Sequence, residues 1–212
     1  MNYKHILLSA SVLLSVLTSC SQEKSDTTAE NGNVPENQVI ETIMTRRSIR
    51  AYEDRAVPRD TMELIAECGI NAPNGMNRQD WAIRIVDSPE FINGVTEAFV
   101  KENPQMGKDP NFKNMFRNAP TVVFIGAPDG TGSGINCGLL GENMILAAWS
   151  MGIGSCCLGG PIAFMNSEAG AEYLSKLNLP EGYSLLYAIG FGYPAEKPEA
   201  RPRDKSKIQF ID

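Results

Sequence analysis

Apolar positions recur along this chain with two periods, one helical and one of strands. Val39, Ile40, Ile43 and Met44 fall at helical spacing within residues 37–46. Met62, Ile65 and Ala66 do the same over 60–71, where Asp60 is placed to cap the helix and Glu63 to complete a capping box. Residues 81–86 (WAIRIV) alternate with the period of a strand. Pro89 opens a helix through Val100 whose inner face carries Phe91, Ile92, Val95 and Phe99. A polar loop follows, then a possible short helix over 112–117, then an apolar run of strand length at 121–125. Residues 135–151 are apolar almost all round, which suits a domain centre or a subunit interface. A further amphipathic helix is expected over 166–177, and residues 183–192 (YSLLYAIGFG) form a third strand. Long helical connections between strands imply a sheet covered by helices on both faces.

The opening of the chain has another character. Lys4 and His5 precede an apolar run from Ile6 to Leu17, too short for a bilayer span of roughly 20 residues. A basic start and such a run make a secretory signal. The run ends Leu17-Thr18-Ser19-Cys20, which resembles the bacterial lipobox, in which the cysteine is lipidated and becomes the new N-terminus. The alternative is an ordinary signal peptide with a chance cysteine. Residues 1–19 are thus expected to be a lipoprotein signal peptide, and 20–36 a flexible polar tether beginning at the lipidated Cys20. Residues 37–212 are expected to be one globular domain, held at the bacterial cell envelope by the lipid on its periplasmic or outer-membrane side.

Composition then narrows the chemistry. The 212 residues are 42% hydrophobic, enough for one ordinary domain. A net charge of −6 argues against a nucleic-acid partner and against a general anionic-lipid binder. The single histidine, His5, lies in the segment expected to be removed. The mature chain then has no Ser-His-Asp or Cys-His catalysis and no histidine-ligated metal. Cys68, Cys137, Cys156 and Cys157 show no CxxC spacing, and no metal site is expected. They are expected to be buried as small hydrophobes.

Three segments carry candidate chemistry. Arg46-Arg47-Ser48-Ile49-Arg50 brings three guanidiniums and a hydroxyl together, a set suited to phosphate; taken alone it reads first as a solvated basic turn. A second basic cluster, Arg201-Pro202-Arg203, follows the last strand, where it could close on the same anion. Residues 72–81 (APNGMNRQDW) form a turn rich in amides, suited to the edge of a planar heterocycle or to ordinary local turns.

Together these segments resemble the flavin-dependent nitroreductase family. The resemblance rests on Arg-Arg-Ser-x-Arg, the later Ala-Pro-x-x-x-Asn-x-Gln-x-Trp, the run from Asn143 through Gly152-Ile153-Gly154-Ser155-Cys156, residues 188–194 and Pro202-Arg203. It covers residues 39–212 and implies an α+β fold, a central, mostly antiparallel sheet flanked by helices, and an intertwined homodimer. It also implies FMN bound non-covalently at the dimer interface. By position, Arg46, Arg47, Ser48 and Arg50 would grip the phosphate and ribityl chain, with Arg203 and Arg201 adding charge. Pro73, Asn74, Gly75 and Asn77 would come from the partner subunit. Leu158, Gly159 and Gly160 would lie along the flavin ring. The family often has serines where Asn74 and Gly75 stand and proline where Asp80 stands. No catalytic side chain is implied: a hydride enters flavin N5 and leaves to a second substrate in the same pocket.

That resemblance makes the protein an oxidoreductase with NAD(P)H as donor and a small-molecule acceptor such as a nitroaromatic or quinone. Export sets a conflict, because nicotinamide donors are not expected outside the cytoplasm; a quinol or redox protein would then serve. Rival readings are another flavin chemistry on the same fold, such as reductive dehalogenation or flavin modification, and a lipid-anchored electron carrier without catalysis.

Overall fold

The computed structural model describes residues 37–130 and 132–212. The expected signal segment, Cys20 and the tether lie outside the described residues. Among the described residues, six α-helices and four strands are arranged as two helical layers around one sheet.

The sheet has the order β1-β2-β4-β3, built from β1 (Ala82–Val86), β2 (Thr121–Pro128), β3 (Gly154–Leu158) and β4 (Tyr183–Gly192). Every pairing is antiparallel. Strand periodicity sends alternate side chains to opposite faces. Val123 and Ile125 of β2, with Ile189 and Phe191 of β4, face α2 (Arg59–Ile70) and α4 (Ser133–Ser150). Val122, Phe124 and Ala188 face α3 (Pro89–Glu102) and α5 (Gly160–Met165) on the other side. The expected coverage of both sheet faces is therefore present. β3 is an addition to the three strands legible in the periodicity.

Helix ends follow local chemistry. α1 (Gln38–Thr45) starts at Asn37, whose Oδ1 accepts from the N–H groups of Val39 (2.9 Å) and Ile40 (3.2 Å). Ser88 accepts from Phe91 N–H at 3.3 Å ahead of α3. α2 departs from the expected cap. Pro58 holds that position, Met62 N–H donates to its carbonyl at 3.0 Å, and the Asp60 carboxylate accepts instead from Thr61 N–H.

Two further expectations are corrected. Residues 112–117 form no helix: Asn118 Oδ1 accepts from the N–H groups of Lys113 and Asn114, and Asn114 Oδ1 takes the Phe116 N–H that a helix would give to the Phe112 carbonyl. Only Ala171–Lys176 of the 166–177 segment forms a helix, α6, while α5 forms immediately upstream.

The buried side of α4 carries Leu140, Met144 and Ala148. On Gly141 the Tyr187 ring occupies the space a Cβ would fill, and Tyr187 Oη donates to the Cys137 carbonyl. Gly141 thus admits a strand residue of its own chain, while Gly138 faces open space. The opposite side of α4 leaves Ile135 71% and Leu139 42% exposed. Val39, Ile43 and Met44 of α1 are also exposed. No helix among the described residues is long and apolar enough to cross a membrane.

Candidate functional site

The Arg46–Arg50 segment runs along the outer edge of β3. Ile49 is buried, and its N–H donates to Ser155 O at 2.9 Å, while Ser48 bridges Ser155 in parallel register. Gly154 permits this approach: a Cβ there would stand 2.7 Å from Ile49 Cγ1. The same segment is stitched to the exit of β4. Glu196 Oε1 accepts from the N–H groups of Arg50 and Ala51, and Ala195 N–H donates to Ala51 O at 2.9 Å. Tyr52 Oη donates to Ile49 O at 2.6 Å. Burial, reinforced by Cys156 and Glu196 and opposed by Arg50, holds that phenol above its ordinary pKa, so it remains a neutral donor.

Beside this strap lies a cavity of about 480 Å³. Arg50, residues 156–161 and the loop around Asn114 and Arg117 line it. Of the expected site residues, the cavity gathers Arg50, Leu158, Gly159 and Gly160. Nothing stands within 4 Å of where a Cβ would be on Gly159 or Gly160, so a planar ligand can approach that backbone closely. A cavity of this size falls in the usual range for cofactor sites, roughly 300–1,000 Å³.

The other expected residues lie elsewhere. Arg46 Nε is 3.9 Å from a Glu142 carboxylate oxygen on α4. Arg47 folds back on the end of α1, donating to Met44 O (3.0 Å) and Arg46 O (2.8 Å). Ser48 is half-buried in its bridge to β3. Pro73, Asn74, Gly75 and Asn77 do not line the cavity of their own chain. Their turn contains three non-glycine residues with left-handed backbone, Met76, Asn77 and Gln79, and Asn74 Oδ1 braces it by accepting from Gln79 N–H at 2.9 Å. Arg201 and Arg203 lie in an exposed C-terminal tail, where Arg203 donates to the carbonyls of Arg201 and Pro202.

The cysteines divide. Cys137 and Cys156 are buried, Cys68 is half-buried and Cys157 is exposed, so the expectation of four buried thiols is corrected. All four are free thiols. Alternation along β3 explains the contrast between the neighbours Cys156 and Cys157. Burial pushes the Cys156 thiol up, against the opposing fields of Arg50 and Arg117. It therefore stays protonated at neutral pH and offers the cavity no thiolate. Among the described residues no cluster of His, Cys, Asp and Glu could hold a metal ion.

Sequence reasoning missed Asn111, Asn114, Arg117 and Asn118, with Phe99 and Phe112, as residues lining the cavity. Their signal was thin, amounting to three asparagines close together before Ala119-Pro120.

An antiparallel sheet covered on both faces, with an arginine-bearing strap and an open glycine-lined cavity at one edge, defines a ligand-binding α+β domain. The chain belongs to the nitroreductase family, whose model matches residues 43–193. A Methanothermobacter thermautotrophicus protein with the provisional name NADH dehydrogenase/NAD(P)H nitroreductase is 28% identical over 188 residues, covering 85% of this chain and 90% of its own. The NADPH-flavin oxidoreductase of Vibrio harveyi is 28% identical over 183 residues, covering 79% and 70%. A Bacteroides fragilis nitroreductase solved with bound FMN aligns at a TM-score of 0.71 with 28% identity, covering 83% of this chain and 100% of that one.

Proposed function

We propose that this protein is an FMN-dependent oxidoreductase that takes electrons from a donor and passes them to a small-molecule acceptor in the cavity beside β3. The open cavity carries this reading, because a protein that only stored electrons has no need of an open chamber lined by Arg50, Gly159 and Gly160. FMN, when bound, supplies two-electron redox chemistry that the cavity's own side chains lack. Arg50 would hold the phosphate, with Arg46 and Ser48 nearby on the same strap, and the Gly159–Gly160 backbone would lie along the ring. The protein's part is position and electrostatics. Donor and acceptor would take turns in one cavity, which gives ping-pong kinetics.

Two copies would complete the site. The turn bearing Pro73, Asn74, Gly75 and Asn77 does not line its own cavity, which suits residues contributed to a neighbour. The exposed apolar residues of α1 and α4 supply a surface for that neighbour. Arg201 and Arg203, on an exposed tail that also carries Ile208, Phe210 and Ile211, would reach the phosphate in the assembled dimer.

The test is an absorption spectrum of the purified protein after incubation with FMN, followed by reduction and addition of a nitroaromatic. A bound flavin spectrum that bleaches on reduction and returns with the acceptor supports the reading. A protein that stays colourless rules it out. Cys20 would anchor the chain at the cell envelope; Cys20→Ser should move it from the membrane pellet to the soluble fraction with flavin content unchanged, and retention in the pellet would exclude this anchor.

A further inference from the structure

The loop that brings Asn111, Asn114 and Arg117 to the cavity is built more elaborately than a surface loop requires. Arg117 and Asn118 both have left-handed backbone, with φ of 57° and 64°, a conformation that asparagine adopts readily and that is costly for arginine. The Asn118 side chain holds the loop in shape. Its Oδ1 accepts from the N–H groups of Lys113 (2.8 Å) and Asn114 (3.1 Å), and its Nδ2 donates to Asn111 O (2.8 Å). Fully buried Phe116 anchors the loop to the core. The result is a fixed turn that brings Arg117 into the cavity lining.

Among the described residues Arg117 has no ion-pair partner. Asp109 also lines the cavity, but its Oδ1 accepts from Asn111 N–H at 2.9 Å within its own turn. The same chamber carries an aromatic wall: Phe99 and Phe112 stack with centroids 6.4 Å apart and planes 30° from parallel. A guanidinium without an ion-pair partner and an aromatic pair lining the same cavity match a ligand that is flat, apolar and negatively charged at one end.

We infer that Arg117 is a specificity residue selecting aromatic acceptors that carry a carboxylate. The inference rests on the cavity being the acceptor site of the proposed oxidoreductase. Arg117 receives the carboxylate, the Phe99–Phe112 wall receives the ring, and Arg50 remains free for the cofactor phosphate.

Calorimetric titration of 4-nitrobenzoate and 4-nitrobenzamide into the flavin-loaded protein compares an anion with a neutral molecule of similar shape. The wild type should hold the anion roughly tenfold more tightly, the scale of one charge-assisted hydrogen bond. Arg117→Gln should abolish that preference and leave affinity for the amide unchanged, and Arg117→Lys should keep part of it. In steady-state kinetics Arg117→Gln should raise the KM for 4-nitrobenzoate without changing kcat or the KM for the donor. Equal wild-type affinities, a preference that survives Arg117→Gln, or a change confined to the donor's KM would overturn the inference. Whether FMN binds at all is read separately from the absorption spectrum, so failure of the cofactor reading is distinguishable from failure of this one.

Discussion

Replacing Arg50 by alanine is expected to weaken FMN binding roughly ten- to a hundredfold while leaving the domain folded. A hydrogen bond to a charged group contributes about 1.5–3 kcal/mol, and removing the guanidinium forfeits such a contact. The fold should not notice. Arg50 is exposed, and its guanidinium makes one hydrogen bond to its own segment, to Ser48 O at 3.2 Å. The contacts that fix the strap belong to Ile49, Ser155, Glu196 and the Arg50 backbone, which alanine retains. Fluorescence titration of FMN gives the affinity, and the urea midpoint checks the fold. Arg47→Ala is the contrast, because that side chain caps α1 and should move stability more than cofactor affinity. Unchanged affinity in Arg50→Ala would place the phosphate elsewhere.

Leu139→Asp on α4 should break the dimer and with it the cofactor site. Leu139 is exposed in the single chain, so a carboxylate there remains solvated and the monomer still folds. In an assembled interface the same carboxylate is buried, without a partner, on each copy. The dissociation constant should rise at least a hundredfold, about 2.8 kcal/mol. Flavin affinity should fall in parallel, because Pro73, Asn74, Gly75 and Asn77 of the neighbour are withdrawn. Sedimentation and flavin titration of the same sample test both halves. A dimer that persists in Leu139→Asp would remove α4 from the interface.

Legibility in the sequence followed how local the cause was. β1, β2 and β4 show themselves through apolar residues at strand spacing, and α3 through Pro89 and its inner apolar face. β3 does not: Gly-Ser-Cys-Cys-Leu has no β-branched residue, and it is a strand because Cys156 and Cys157 pair with Gly190 and Ile189. The helical pattern over 112–117 lost to asparagine side chains acting across the loop. In the cavity, Arg50 was legible because charge is a property of a single residue, whereas Leu158, Gly159 and Gly160 entered only through the family resemblance. Arg117 was not legible, because its place depends on the Asn118 brace and on Phe116 buried beneath the loop. The outward face of α4 was half legible. Its apolar residues pointed to a domain centre or a subunit interface, and Ile135 and Leu139 do stand exposed on the single chain.

Sedimentation velocity of the FMN-loaded protein at submicromolar concentration, followed by flavin absorbance, tests the shared-site oxidoreductase most directly. It should show one flavin-bearing boundary at dimer mass, with one FMN per chain. A flavin-bearing boundary at monomer mass, or a protein that sediments without flavin, would contradict it.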